Sequence, residues 1–371
     1  MFRLKFIYFL LSLILFFYAI IMAKEFLYPI SFAILIAYLL FPLNNFLEKH
    51  NFPRILAIII SLILAFVVIF GTGFFIYKKI GVLVGDLPTL KKQALKNIDK
   101  LLKWLEGLFA ITDSSFEQSL KQQVIGLFDI SDKFLRHLFT ATTGTLYKIF
   151  IIPVYIFLFL FYRTKFAYFI LMLVSYKDRL ITIKILRDIS QIAARYLGWI
   201  LIVILFLCGI NTTGLLLIGV PYAIILGVTT AILTIIPYFG SILGGCISVL
   251  FALLTVDSPK IAFQVALFYV FVVFLEHNIL TPNIVGNNVR VNPFIIIISL
   301  IGAAMIWGIP GMVVIVPFMA VLKVISKHVP RLKPYAFLLG IRGARRHSLY
   351  IPTFKEIILR RKKKRMHDDE D

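Results

Sequence analysis

From Phe6 to Met22 no residue is charged, and the same holds from Phe26 to Phe46, from Ile55 to Tyr77 and from Tyr196 to Ile218. About 20 apolar residues in a helix cover the ~30 Å hydrocarbon core of a bilayer. Inside that core every backbone polar group must be satisfied by the chain itself, which leaves helices as the spanning element for runs of this length. The composition agrees: 60% of the 371 residues are hydrophobic and 36 are phenylalanine, where soluble domains sit near 45–50% apolar. The pattern predicts an all-α polytopic membrane protein.

Two further apolar segments are broken from within. The first begins at Pro221 and is interrupted by Ile236-Pro237-Tyr238-Phe239-Gly240; the second begins at Pro293 and is interrupted by Gly308-Ile309-Pro310-Gly311. Proline withholds a backbone donor and glycine relaxes the chain, so each break frees polar backbone groups. Such groups are tolerated at membrane depth only inside protein or along a watery cavity. A matched pair of broken segments is a pointer to a transporter's binding site. Each half is about 16 residues, or ~24 Å of helix, which is short for a full crossing. With spans at 1–23, 26–46, 55–77, 144–162, 196–218 and 260–280, the total is about eight membrane segments, two of them Pro/Gly-interrupted or re-entrant.

The net charge of +21 lies in loops and in the tail, where the positive-inside rule accounts for it without nucleic acid. Arg163, Lys165, Lys177, Arg179, Lys184, Arg187 and Arg195 face only Asp178 and Asp188 in one connector, which suits the cytoplasm. The tail from Arg342 to Arg365 is equally basic, so both termini are expected there. Parity then makes the two broken segments alike: each crosses once, or each returns to its own side. Residues 78–140 form an extramembrane insert of two amphipathic helices. Asp86-Leu87-Pro88 suggests one start, and Ser114-Ser115-Phe116-Glu117 is a capping-box pattern for the other. The resulting units are 1–77 (three spans), 78–140 (insert), 141–195 (fourth span and basic connector), 196–326 (transport core) and 327–371 (basic tail).

The segment after the first break, VALFYVFVVFLEHNILTPNIVG, ends its apolar run in Glu276, His277 and Asn278. From Ile236 to Gly244, through Glu276 to Gly286, then at Asn292-Pro293, Gly308 to Met312 and Val316-Pro317, the order and spacing of these pieces resemble the autoinducer-2 exporter family, the PerM-type permeases. That resemblance implies an inner-membrane protein of a bacterium with about eight spans, often oligomeric. It also implies a substrate such as autoinducer-2 or, in some members, sodium exchanged for protons.

Glu276 is the sharpest single residue, because a carboxylate on a spanning run is costly and marks ion paths and proton relays. Its interfacial pairing with His277, Lys260 or Arg290 is the plainer alternative. Asn278 has the chemistry to bond backbone left open before Pro282. Pro237, Gly240, Gly244, Pro282, Gly286, Pro310 and Gly311 are positions for unwound or closely packed backbone around a small polar solute or cation. Asn211 in the fifth span has the chemistry to line a path or to bond a neighbouring helix. Cys208 and Cys246 read as buried small hydrophobes. No nucleotide loop, metal motif or cofactor motif is present, so neither an enzyme nor an ATP-driven pump is expected. Transport would follow gradients: export of a small polar solute, or sodium/proton antiport on Glu276. An oligomeric scaffold without transport is the reading from a different class.

Overall fold

The computed structural model describes residues 2–109, 114–140, 144–280 and 291–340, and among these it contains helices and turns but no strand. Six helices are long and apolar enough to cross a bilayer, and a pair bent by 61° (Phe150–Phe161 with Arg163–Met172) raises the number to seven. Three shorter apolar helices, Ala223–Leu233, Phe239–Thr255 and Pro293–Trp307, belong to the broken segments.

The first three helices are α1 (Phe2–Met22), α2 (Lys24–Lys49) and α3 (Arg54–Phe109). No part of the apolar stretch of α1 is buried. α2 and α3 pack through small residues, Ala33 and Ala37 against Ile58, with Ile156 and Leu160 of α5 (Gly144–Phe161) closing the cluster. Lipid competes with Leu and Ile for such contacts, so close approach at alanine and serine decides the pairing. Ala57 and Ser61 are fully buried on the same face of α3.

α3 is one helix of 56 residues with Pro88 inside it. No new helix begins at Asp86-Leu87-Pro88, contrary to the sequence expectation. An interior proline forfeits a helical hydrogen bond and costs ~3 kcal/mol, but the stripe it would interrupt is held from outside. Ala94, Ile98 and Leu102 pack against Val124 of α4 (Ser114–Thr140) and Leu254 of α9 (Phe239–Thr255). The amphipathic faces of α3 and α4 therefore pair with each other and with the end of α9. Lys91 meets Asp129 across the two helices at 2.8 Å.

The chain then turns at Tyr162 into α6 (Arg163–Met172), which buries none of its residues. α7 (Arg179–Ile218) is continuous for 40 residues, so the fifth span and most of the connector are one helix. Ile189, Ala193 and Tyr196 are its inward face below the span, an i, i+4, i+7 stripe that a charge count alone does not reveal. Gly219 caps it in the left-handed conformation at φ 86°.

The broken segments are helical hairpins. α8 (Ala223–Leu233) and α9 lie antiparallel, with Tyr222 against Phe251 at the base and Gly240 against Leu233 at the tip. α10 (Pro259–Leu275) follows and widens into a π turn at Glu276–Leu280. The second hairpin is α11 (Pro293–Trp307) and α12 (Ile309–His328), joined by Gly308 alone at φ 67°, ψ −146°, a conformation essentially reserved for glycine. After it comes the short α13 (Lys333–Leu339).

Each hairpin starts and finishes at the same end of the molecule. Pro221, Tyr222, Thr255 and Val256 line one cavity beside the insert. At the opposite end the N–H of Asn292 donates to Leu339, and His328 lies 3.3 Å from Asp188 on the connector part of α7.

Candidate functional site

The tip of the first hairpin and the end of α10 come together. Glu276 is 4% exposed and Ser241, in the first turn of α9, is 3% exposed. Ser241 and His277 are the polar side chains that act on the Glu276 carboxyl, but the Ser241 hydroxyl approaches it without hydrogen-bond geometry, so that among the described residues Glu276 Oε2 and Ser241 Oγ both lack a well-formed hydrogen bond. Tyr238, at φ 67°, stacks on the His277 ring with centroids 5.3 Å apart and planes 14° apart. Two orphaned polar atoms at one buried joint cost on the order of 1–3 kcal/mol each. Such groups in a folded protein call for an explanation in function or in a bound species. The π turn that carries Glu276 is itself a distortion frequent at functional sites.

Gly240 explains why the tip closes so tightly. A Cβ there would sit 1.9 Å from the carbonyl oxygen of Leu233, so only hydrogen fits. Gly244 and Gly311 likewise face Thr230 and the Ala303 carbonyl across their hairpins. Gly240, Gly244 and Gly311 are thus helical contact points, and the breaks themselves are residues 234–238 between α8 and α9 and Gly308 between α11 and α12. Pro310 lies in the first turn of α12, where its missing N–H leaves no vacancy.

Further along α9, Thr230, Ser248 and Tyr269 bring three buried hydroxyls from α8, α9 and α10 within 3.0–3.5 Å of one another. Each holds one proton and two lone pairs, so the ring is self-satisfying in more than one arrangement. The sequence reading missed this triad. Its only signal is the spacing Ser241, Ser248, Thr255, seven residues apart on one helix face, in a segment otherwise apolar. All three are buried. This seam of small and hydroxyl side chains runs about 21 Å along α9, from Glu276 at one end to the cavity beside the insert at the other.

That cavity measures about 570 Å³. Asp86 and Asp257 are on its wall, with Thr89, Gln93 and Thr255. Tyr222 donates its hydroxyl to Asp86. Asp257 takes Lys100 at 2.7 Å, and this contact holds its carboxyl below the usual carboxylate range.

Asn211 is 1% exposed with Oδ1 unpartnered, on the turn of α7 beside Thr212, which abuts Gly227 near the middle of α8. It belongs to the α7–α8 contact and not to the Glu276 joint. Asn278 is exposed and donates Nδ2 to Phe274 O at 2.9 Å, one turn upstream. Pro282 and Gly286 lie outside the described residues, as do Arg290 and the basic tail from 341 onward. The two breaks do not meet. Ile236 packs against Leu300, Val316 and Ala320, with Leu300 and Val316 each about 12 Å of helix from Gly308. At the second break, Trp307 Nε1 donates to Ile20 O of α1 at 3.1 Å. Among the described residues no group of three His, Cys, Asp or Glu side chains could hold a metal ion.

Comparison with known sequences places these features in a family. Residues 10–331 match the profile of the AI-2E family transporter. The chain is 30% identical to YueF of Bacillus subtilis (strain 168) over 319 residues, covering 82% of this chain and 84% of that protein. It is 28% identical to YrrI of the same organism over 327 residues, covering 82% and 87%. A Borreliella burgdorferi protein is 25% identical over 319 residues, with 84% of each chain covered. All three are named as transport proteins.

Proposed function

Because the chain belongs to the AI-2E family of transporters, we propose that it is a gradient-driven permease exporting a small polar solute, with Glu276 as the coupling carboxylate. The observation that carries this reading is the buried joint of Glu276 and Ser241, where, among the described residues, neither Glu276 Oε2 nor Ser241 Oγ makes a well-formed hydrogen bond. A solute hydroxyl, a proton or a cation would complete it. The path we assign runs along the α9 seam, from Glu276 past the Thr230–Ser248–Tyr269 hydroxyls to the cavity at Asp86 and Asp257.

The membrane placement follows from charge. With the basic connector in the cytoplasm, α7 carries the chain outward, and the α8–α9 hairpin enters from outside and returns. α10 then crosses inward, and the α11–α12 hairpin enters from the cytoplasm and returns. Both termini then lie on the cytoplasmic side of a bacterial inner membrane. The shared cavity at the base of the first hairpin and the Asn292–Leu339 contact at the base of the second support this parity. Cysteines replacing Lys260 and Lys333 should then react with an impermeant reagent from opposite faces. Labelling from one face would reject it.

A second reading is favoured by the same unpaired oxygen: sodium/proton antiport with Glu276 as the exchanging group. Reconstituted vesicles with an internal pH dye separate the two. A sodium jump that shifts internal pH in the wild type and not in Glu276→Gln indicates antiport. A silent dye, with efflux of a preloaded polar solute that Glu276→Gln abolishes, indicates the exporter. Solute efflux and ion exchange both unchanged in Glu276→Gln would remove this carboxylate from the mechanism.

A further inference from the structure

A second cavity, about 620 Å³, opens where α2, α5, α6 and α7 meet at the connector end. Its wall mixes two kinds of side chain. Phe41, Phe166 and Leu186 supply apolar surface, Arg163, Arg187 and Ser190 supply polar groups, and among the described residues no acidic side chain lines it. Arg163 is half engaged. One of its terminal nitrogens binds Glu48, its guanidinium carbon stands 5.1 Å over the Phe41 ring, and its NH1 is buried without a partner. Arg187 has no ion-pair or hydrogen-bond partner among the described residues, and the adjacent Asp188 is taken by His328 at 3.3 Å.

The depth of the cavity matters as much as its charge. It lies where α5 ends its apolar run and the chain bends by 61° into α6. Arg187 precedes Tyr196, the start of the uncharged stretch of α7, by about 14 Å of helix. This is the headgroup level of a bilayer, and α6, with no buried residue, has the character of a helix lying in that layer. An unmatched guanidinium beside an apolar slot at that depth complements a molecule with a phosphate at one end and hydrocarbon at the other.

We propose that this cavity is a specific site for an anionic phospholipid, its phosphate held by Arg187 with the Arg163 guanidinium beside it and its chains lying along Phe41 and Phe166. The bound lipid fills the angle between α5 and α7 and seats α6 against the bundle. The shared chemistry of the site is phosphate recognition, and a soluble phosphate is the competing source.

The test uses the full-length protein in detergent, with native mass spectrometry after addition of phosphatidylglycerol, phosphatidylcholine or inorganic phosphate. Phosphatidylglycerol should remain bound at ~10-fold higher occupancy than phosphatidylcholine, and Arg187→Gln should lower that occupancy ~10-fold, the order expected for a charge-assisted contact. Arg179→Gln makes the same change in net charge outside the cavity and should leave occupancy unchanged. Ala167→Phe, which fills the cavity without altering charge, should also expel the lipid. Equal retention of both lipids would overturn the proposal, as would equal loss in both arginine variants. Inorganic phosphate displacing the lipid at comparable concentration would assign the site to a soluble anion and overturn it too.

Discussion

Asn97 ties α3 to the base of the first hairpin, and its replacement by alanine gives a measurable test of that attachment. Its Nδ2 donates to the carbonyls of Leu254 and Val256, both at 2.9 Å, where α9 ends and the turn to α10 begins. The residue is 6% exposed, and its own Oδ1 is unpartnered. Alanine removes both bonds, each worth ~0.5–1.5 kcal/mol net, and leaves the Leu254 carbonyl buried and unsatisfied at ~1–3 kcal/mol. Deleting the orphaned Oδ1 returns about 1 kcal/mol. The balance is a loss of about 2–3 kcal/mol, concentrated at the base of the first hairpin. Local opening there should become ~30- to 150-fold more frequent. Hydrogen exchange of peptides covering 250–262 reads this directly, with peptides from α2 and α5 as unaffected references. Asn97→Asp should be worse than alanine, because it turns an acceptor toward two carbonyls. Exchange within threefold of wild type in Asn97→Ala, or aspartate tolerated better than alanine, would refute the reasoning.

Asp257, held below the usual carboxylate range chiefly by its hydrogen bond to Lys100, binds its proton more weakly folded than unfolded. Its contribution is therefore complete above the unfolded pKa and disappears as pH falls through the lower folded value. Exchange at 254–258 should be flat from pH 8 to about 5 after correction for intrinsic rates and should rise below about pH 4, and Asp257→Asn should remove that dependence. Gly240→Ala places a methyl 1.9 Å from the Leu233 carbonyl and should abolish monodisperse protein. Gly302→Ala, with nothing within 4 Å, should be neutral or stabilising by up to ~1 kcal/mol in thermal unfolding.

The membrane class, the two broken segments and their break points are all legible in the sequence, because uncharged runs and Pro/Gly interruptions are local properties. The insert was legible as two amphipathic faces but not in its continuity. Pro88 reads as a start by every local rule and is carried through only because Leu254, more than 150 residues away, helps to hold the stripe of α3. The same limit applies to α7, whose inward residues below Tyr196 are interspersed with the connector's charges. Glu276 could be singled out from its cost in an apolar run. Its neighbour Ser241 could not, since a lone serine in a membrane segment bonds its own helix as readily as it faces a neighbour. The separation of the two breaks is likewise a tertiary fact. Identical local chemistry at Pro237 and Pro310 ends beside Glu276 in one case and beside Ile20 in the other.

In the topology we propose, each hairpin leaves and rejoins the bundle on one face of the membrane and is therefore neutral with respect to sidedness. Adding, deleting or duplicating such a unit shifts nothing that follows it to the opposite face, whereas the gain or loss of one single-pass helix would invert every downstream loop. The two hairpins are thus the parts of this architecture that evolution can copy, lengthen or exchange without re-sorting the charges of the connector and the tail. An engineer grafting a hairpin from a relative inherits the same freedom, provided the bases match at Tyr222 with Thr255 and at Asn292 with Leu339.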